Sequence, residues 1–405
     1  MLNKSIVYWA PPTEVAAIRN TAENMVTNNL IKTRFILEKI LDNINKGDKV
    51  GIKVHVGEAY NTRYLRHDYI HEVVDVIKSK GGIPTLIETQ GNGMNIQLLN
   101  ITDTCSIFLG SRKTTTEHNK IAHLHGYTES LIGAPLRFID GEKGLDGKII
   151  NIDGIHFKDV SVAIGLFEFD KLVIVSHFKG HPQAGFGGAM KNLGIGCTTK
   201  RNKSRAHLDG SFIVDPMICN ISKCNQECIE ACPVNAIKIN GESAVIDSSL
   251  CIGCFGCKEK CSIRKAIQIP AYTDLKKFCE RLIDNTMAVI TSFGPEKIRY
   301  INFALELTLM CDCVSNPSVP IAPDLGIFGS SDPLAIDRAC IDAEINAPGL
   351  PVLDENGKWL EPLPPGVEKF NKKLNAMSLP VNTSWQFEAA VKNNIGNINY
   401  ELIKI

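Results

Sequence analysis

The sequence predicts an α/β protein: a mostly parallel sheet with covering helices, interrupted by a small cysteine-rich α+β insertion. Two observations predict the sheet. Apolar segments of period 2 and period 3.6 alternate through the first two hundred residues, the rhythm of strand–helix–strand units. Lys171 to Ser176 (KLVIVS) is an almost unbroken β-branched run, as in a strand covered on both faces. A third observation predicts the insertion. Of 14 cysteines, eight lie between Cys219 and Cys261, where the alternation stops.

In chain order, Val50, Ile52 and Val54 alternate with smaller or polar residues as a strand ending near His55. Ile70, Val73, Val74 and Ile77 form one apolar helix face, and Gly81-Gly82 stops that helix because glycine takes a left-handed C-cap cheaply. Ile83 to Glu88 is the next strand. After the cysteine-rich segment, residues 272–285 read as helix and Thr286 to Ser292 (TMAVITS) as a further strand. Ser330-Ser331-Asp332-Pro333 is a helix start, a capping side chain followed by proline, and Ile336, Ala339, Cys340 and Ala343 give that helix its apolar face. The expected organisation is an α/β domain in two parts, 1–210 and 271–346, an insertion at 211–270, and a peripheral tail at 347–405 with two short helices.

Lys plus Arg and Asp plus Glu both total 44, so the net charge is zero, which argues against a nucleic-acid-coating or membrane-surface protein. No apolar run reaches the roughly 20 residues that span a bilayer. The apolar stretch from Ser5 to Ala10 is too short for a signal peptide. A cytoplasmic protein with no nucleic-acid or membrane partner is expected, and its cysteines then favour metal ligation or redox chemistry over a disulfide framework.

The cysteine segment is an internal repeat. Asp215-x3-Cys219 recurs as Asp247-x3-Cys251, and Ala236-Ile237-Lys238-Ile239 as Ala266-Ile267-Gln268-Ile269. The second half runs Cys251-x2-Cys254-x2-Cys257-x3-Cys261. The first, Cys219-x4-Cys224-x3-Cys228-x3-Cys232-Pro233, is three residues longer between its first and third cysteines. A compact loop lets three thiolates grip one iron–sulfur cubane while backbone N–H groups hydrogen-bond to sulfur. The fourth cysteine, further on, ligates the other cluster. This assigns Cys219, Cys224, Cys228 and Cys261 to one [4Fe–4S] cluster and Cys251, Cys254, Cys257 and Cys232 to a second. A pair of zinc ribbons is the alternative, which the x2, x2, x3 spacing fits less well. The segment resembles the bacterial two-cluster ferredoxin module over about 55 residues, departing from it in the stretched first run and in Ser262, which follows Cys261 where the module has proline.

After the KLVIVS strand comes a loop with six glycines in residues 180–196, where open α/β sheets place their ligands. It matches neither a Walker loop nor a G-x-G-x-x-G fingerprint. Between Asp170 and Asp209 no residue is acidic, and the 38 intervening positions carry seven Lys or Arg and three His. Such a stretch suits a bound small anion, or screening of anionic clusters. His177, Lys179, His181 and Lys191 are the candidates for substrate contact or proton transfer, and Gly185, Gly187 and Gly188 for close cofactor approach. The bland alternative is a glycine turn with a solvated basic face. His55 and His67 are weaker candidates, and Cys197 follows the loop closely enough to be another. The run Lys200-Arg201-x-Lys203-x-Arg205 reads as a solvated charge run without the aromatics that nucleic-acid binding needs. Cys311-Asp312-Cys313, if extended, puts both thiols on one side, where they could hold a metal, form a redox pair or pack; inert packing is the default. Cys105, Cys279 and Cys340 read as core.

Taken together these segments are similar to the domain-of-unknown-function 362 (DUF362) family of iron–sulfur proteins. The matching pieces are Asp48 to Glu58 (DKVGIKVHVGE), Lys80 to Pro84, His177 to Gly196, the cysteine insertion, Met310 to Cys313 and Asp332 to Asp337. The resemblance covers residues 5 to about 345. It implies a [4Fe–4S] protein of prokaryotic anaerobic metabolism, supplies no reaction, and adds weight to the His177 loop and the Cys311/Cys313 pair as functional. The loop is also loosely similar to that of the nickel-dependent lactate racemase family, whose histidine is followed by Gly-Gly-x-Lys. Here the lysine falls one position later, in Gly187-Gly188-Ala189-Met190-Lys191. The expected function is electron transfer through two clusters, with a redox partner protein, serving a site for a small anionic ligand, and so an iron–sulfur oxidoreductase. The alternatives are an electron carrier or cluster-delivery protein without its own substrate, and a binding module with structural clusters.

Overall fold

The structure is a computed structural model and describes residues 4–12, 28–91, 112–263, 266–354 and 356–405. Cys105 lies outside the described residues. The central sheet has eight strands: β1 (Ser5–Ala10), β2 (Lys49–Lys53), β3 (Ile83–Glu88), β4 (Leu136–Phe138), β5 (Lys171–His177), β6 (Ile298–Ala304), β7 (Gly326–Ser330) and β8 (Tyr400–Lys404). Their spatial order is β8-β1-β7-β6-β5-β2-β3-β4. All neighbours are parallel except β7, which runs antiparallel to both β1 and β6.

The alternation of side chains along β5 shows why its sequence is continuously apolar. Leu172 and Ile174 enter one core, with Phe278, Leu282, Ile336 and Ala339. Val173 and Val175 enter the other, with Ile36, Leu37, Val73 and Ile77. Helices α1 (Asn29–Ile40) and α2 (His67–Ser79) cover that second face. Each fully buried Val, Leu or Ile contributes on the order of 1.5–3 kcal/mol, so a polar residue inside β5 would be costly on either side. Gly81, at φ +84°, ends α2 in the expected left-handed conformation.

Residues 286–292 are not a strand. They complete α5 (Leu275–Phe293), whose buried positions Phe278, Cys279, Leu282, Ile283, Thr286, Val289 and Phe293 keep helical spacing to Gly294. The β-branched content of TMAVITS suggested a strand, but the buried face runs through it without a break, and tertiary packing outweighs β propensity. Helix α6 (Pro333–Asn346) starts as expected, with the Asp332 carboxylate accepting from the N–H groups of Leu334 and Ala335.

The last segment is not peripheral throughout. Helices α7 (Lys369–Ala376) and α8 (Ser384–Lys392) bury Phe370, Leu374 and Phe387 in the main core. The terminal strand β8 pairs with β1 at the sheet edge. The reason is apolar spacing that polar neighbours conceal: only one side of each short helix is buried.

The cysteine-rich segment leaves and rejoins the α/β body through a neck in which Leu208–Asp209 pairs antiparallel with Ala271–Tyr272. It has a small core of its own, around Phe212, Ile237, Phe255 and Ile267.

Candidate functional site

Four adjacent parallel strands, β3, β2, β5 and β6, end on the same side of the sheet, and the chain beyond each end lines one cleft. The cleft has a volume of about 1160 Å³ including its open mouth. It collects His55 and Glu58 after β2, Glu88 to Gly91 at the end of β3, Ser176 to Gln183 from β5 onward, and Cys313 and Val314 after β6. Open α/β sheets bind ligands at this edge because no strand-to-strand connection covers it.

Most charged groups around the cleft are already paired. Lys53, fully buried, donates to Glu88 Oε1 at 2.8 Å and Asn192 Oδ1 at 3.0 Å. Arg112 donates to Glu58 at 3.1 Å. Lys203 donates to Thr89 Oγ1 and the Gln90 carbonyl, both at 2.7 Å. Asp312 is held from two sides, by His177 Nδ1 at 3.0 Å and Lys179 Nζ at 2.7 Å. Burial alone would raise the Asp312 carboxyl, but the His177 ring and the Lys179 ammonium hold it well below the usual carboxylate range. His177 Nε2 also donates, to the Leu305 carbonyl at 2.8 Å. Both ring nitrogens of His177 thus face acceptors within the protein.

Lys191 differs from these. It lines the cleft, and among the described residues it has no hydrogen-bond or ion-pair partner. Burial, reinforced by the Lys179 charge, brings its ammonium down to about 7. An anion arriving there gains an unshared cation.

The glycine loop is a small hairpin, Lys179–His181 against Gly185–Gly187, leading into helix α3 (Ala189–Gly194). A Cβ at Gly185 would lie 2.9 Å from Thr383, at φ +79°. A Cβ at Gly188 would collide with the Asp337 carboxylate, which accepts from the N–H groups of Ala189 and Met190 and caps α3. Gly188 nevertheless lines the cleft, whereas Gly185 does not. Gly187 also lines the cleft and alone of the three has ordinary clearance, 3.5 Å from Lys191 and 3.9 Å from Lys179.

His181 is buried, and burial holds it neutral, well below its usual range. The backbone N–H groups of Gln183 and Ala184 both donate to its Nδ1, at 3.2 and 3.0 Å. The ring proton therefore sits on Nε2, which faces Cys313 Sγ at 3.9 Å. Cys311 and Cys313 are not inert thiols on an extended strand. The segment is a turn, and the two are joined in a disulfide.

The eight remaining candidate cysteines fall into two groups. One hollow, of about 420 Å³ including its open side, is lined by Cys219, Cys224, Cys228 and Cys261; a second, of about 310 Å³ measured the same way, by Cys232, Cys251, Cys254 and Cys257. Each group thus takes three cysteines from one run and the last from the other. Burial, with the thiols of Cys254, Cys251 and Cys232 close by, pushes Cys257 up to about 12. The repeat is also geometric: Cys219 N–H donates to the Asp215 carbonyl at 2.9 Å and Cys251 N–H to the Asp247 carbonyl at 3.0 Å. Backbone N–H groups already point at sulfur, from Ala236 to Cys232 Sγ at 3.2 Å and from Ala244 to Cys219 Sγ at 3.4 Å. In neither group do three ligand atoms lie within 4.8 Å of one another. Sulfurs around one tetrahedral zinc would sit about 3.8 Å apart, given Zn–S bonds of about 2.3 Å. The donor set and its spread therefore fit a cluster better than a single ion.

Helix α4 (Lys200–His207) joins the two regions. Lys203 and His207 line the cleft, while Ser204 on the same helix donates to the Gly253 carbonyl beside Cys254 at 2.7 Å. The charged run here is only partly solvated, through exposed Arg201. Lys200 and Lys203 are buried, and Arg205 pairs with Asp159.

Of the weaker candidates, His55 joins the cleft, His67 does not line it, and Cys197 is buried in the core with Cys279 and Cys340. Sequence reasoning missed Glu58, Glu88, Arg112, Asp312 and His207. Glu88 carried one signal, its place at a strand's C-terminal end. Its Oε2 is buried without a hydrogen-bond partner among the described residues.

Fold and site together define a mixed α/β protein with a basic cleft at its strand ends and a cysteine-rich segment beside it, a composition that fits iron–sulfur binding in general. The chain belongs to the family described as "Domain of unknown function (DUF362)", which it matches over residues 50–342. No curated protein matches it. Among solved structures it is similar to the lactate racemase apoprotein from Thermoanaerobacterium thermosaccharolyticum, with 11% identity, a TM-score of 0.37, and coverage of 81% of this chain and 54% of that one. It is also similar to a protein from Thermotoga maritima, with 11% identity, a TM-score of 0.32, and coverage of 68% and 50%. The chain thus spans about half the length of both. No helix among the described residues is long and apolar enough to cross a membrane.

Proposed function

We propose that this protein is a cytoplasmic iron–sulfur electron-transfer protein whose residues 211–270 form a ferredoxin-like insertion holding two [4Fe–4S] clusters, and whose α/β part, 1–210 and 271–346 with the C-terminal residues packed on it, binds a small anionic ligand in the cleft. Cys219, Cys224, Cys228 and Cys261 would hold one cluster, and Cys251, Cys254, Cys257 and Cys232 the other. When bound, such clusters take up and release single electrons. The observation that carries the reading is α4, one helix that both lines the cleft through Lys203 and His207 and hydrogen-bonds the Gly253–Cys254 loop through Ser204. On this reading the Cys254 group would lie nearer the ligand, and exposed Ile213 and Met217, close in the chain to Cys219, would offer a surface to a redox partner protein.

In the cleft, Lys191 would bind the anion, Gly187 would leave room for it, and Lys179 and His177 would fix the surrounding frame through Asp312. His181 Nε2–H would donate a hydrogen bond, and Glu88 Oε2 would accept one. A carrier without a substrate has no use for a half-buried cleft lysine that lacks a partner among the described residues, which favours an oxidoreductase over the carrier reading. The deciding experiment is an anaerobic count of iron, zinc and acid-labile sulfide per chain with an EPR spectrum after dithionite. About eight irons and eight sulfides with two interacting reduced clusters are expected. Zinc without sulfide would remove the redox reading.

A further inference from the structure

We infer that Cys311 and Cys313 are a second redox centre, a dithiol–disulfide couple that reduces small anionic disulfides entering the cleft, with His181 as its hydrogen-bond donor. The two sulfurs are placed differently. Cys311 is buried, 1% exposed, whereas Cys313 lines the cleft. Each has a donor facing it: the Cys313 backbone N–H points to Cys311 Sγ at 3.3 Å, and His181 Nε2 lies 3.9 Å from Cys313 Sγ. Thiolates are stabilised by such donors, and a stabilised, accessible thiolate is the attacking partner in thiol–disulfide exchange.

The same three residues are also close enough to one another to hold a metal ion. The hydrogen bonding of His181 argues against that use. A neutral imidazole that ligates through Nε2 carries its proton on Nδ1, and here Nδ1 already accepts from two backbone N–H groups. The proton belongs on Nε2, toward sulfur.

The chemistry closes without a further reagent. In the reduced protein the Cys313 thiolate, hydrogen-bonded by His181 Nε2–H, attacks one sulfur of R–S–S–R, forming a mixed disulfide and releasing R–S⁻. Cys311 gives its thiol proton to that R–S⁻, and the Cys311 thiolate then attacks Cys313 Sγ, closing the Cys311–Cys313 bond and releasing the second R–S⁻. Two electrons pass from the cysteine pair to the substrate, which leaves as two thiols once protonated. Returning two electrons from two one-electron clusters rests on the function proposed above; the exchange itself does not. Lys191, with no partner in the described structure, gives the cleft its preference for an anionic substrate.

The test uses the cluster-loaded protein, kept anaerobic. Accessible thiols are alkylated with light iodoacetamide before and after dithiothreitol, the rest with heavy reagent after unfolding, and the peptide carrying both cysteines is weighed. The expected result is two thiols that appear on reduction, are re-oxidised by oxidised glutathione, and are re-oxidised about tenfold more slowly by cationic cystamine. Lys191→Ala is expected to remove that preference. His181→Ala is expected to slow alkylation of Cys313 about tenfold at neutral pH while both thiols still form. Cysteines that stay reduced with both disulfides, or equal rates with the two, would overturn the inference. So would zinc binding one per chain, protecting both thiols and abolished in His181→Ala. Iron and sulfide counts on the same samples report separately on the clusters, so loss of clusters and loss of the thiol couple are told apart. Cys311→Ser and Cys313→Ser each abolish the disulfide, and the wild-type peptide still gives the answer if either variant fails to fold.

Discussion

Lys179 donates from Nζ to the Asp312 carboxylate across 2.7 Å, and the two side chains are 8% and 1% exposed. They stand 133 positions apart in the chain, so the pair ties the glycine hairpin to the turn that carries the Cys311–Cys313 pair. His177 completes the arrangement on the other carboxylate oxygen.

Asp312→Asn is expected to destabilise the protein by about 3–5 kcal/mol, because it leaves the Lys179 cation buried without its counter-charge. The effect depends on pH with a fixed sign. The folded carboxyl is held below its unfolded value, so its contribution is complete above the ordinary carboxylate range of about 4 and is lost as pH falls toward the folded value. Thermal unfolding of wild type and variant is expected to differ by a constant amount from pH 5 to 8 and to converge below pH 4.

Lys191 is expected to give the cleft a pH-dependent affinity for anions. Its ammonium titrates at about 7, so anion binding weakens as pH rises through that value. Stability runs the other way. The folded lysine loses its proton before the unfolded one, so burial of the charge costs most below pH 7 and is relieved as pH rises toward 10. Lys191→Met is expected to raise the Tm more at pH 6 than at pH 10 and to abolish stabilisation by small carboxylates, read by thermal shift.

Adjacent glycines are expected to behave differently. Gly188→Ala would drive a methyl group into the Asp337 carboxylate that caps α3, costing about 1–3 kcal/mol. Gly187→Ala meets only ordinary contacts and is expected to leave the Tm within a few degrees while weakening anion binding. A Gly187→Ala protein that unfolds early would show that this position is structural too.

The crossed grouping of cysteines is expected to appear in variants. Cys232→Ala is expected to remove the cluster shared with Cys251, Cys254 and Cys257, and Cys261→Ala the one shared with Cys219, Cys224 and Cys228. Each would lower the count from about eight irons to about four. The EPR spectrum left by Cys232→Ala should match that left by Cys254→Ala and differ from that left by Cys224→Ala.

Much of the architecture was legible locally. Periodicity located β2, α2, β3, β5 and α6, because alternation and helical spacing record which side of an element is covered. It failed where two signals compete. In TMAVITS the β-branched residues suggested a strand, while the buried face of α5 runs through the segment uninterrupted. In the C-terminal residues, polar composition hid Phe370, Leu374 and Phe387, which are core, and strand β8, which the central sheet recruits at its edge.

The sequence by itself determined the parallel sheet, the cysteine repeat with its crossed grouping, and the basic loop after β5. These depend on residues close in the chain, whose spacing sets their geometry. Only the tertiary structure decided which charges in that loop are free. Lys179 and His177 are committed to Asp312, Lys203 is hydrogen-bonded to the end of β3, and Lys191 alone of these four lacks a described partner. Asp312, Glu88 and Arg112 reach the cleft from distant strand ends, and no local pattern encodes that convergence. The proton on His181 Nε2 is likewise a tertiary fact, fixed by two backbone N–H groups that the hairpin turn aims at the other nitrogen. Side-chain pairing and protonation follow from packing, and packing is settled only when the strands lie side by side.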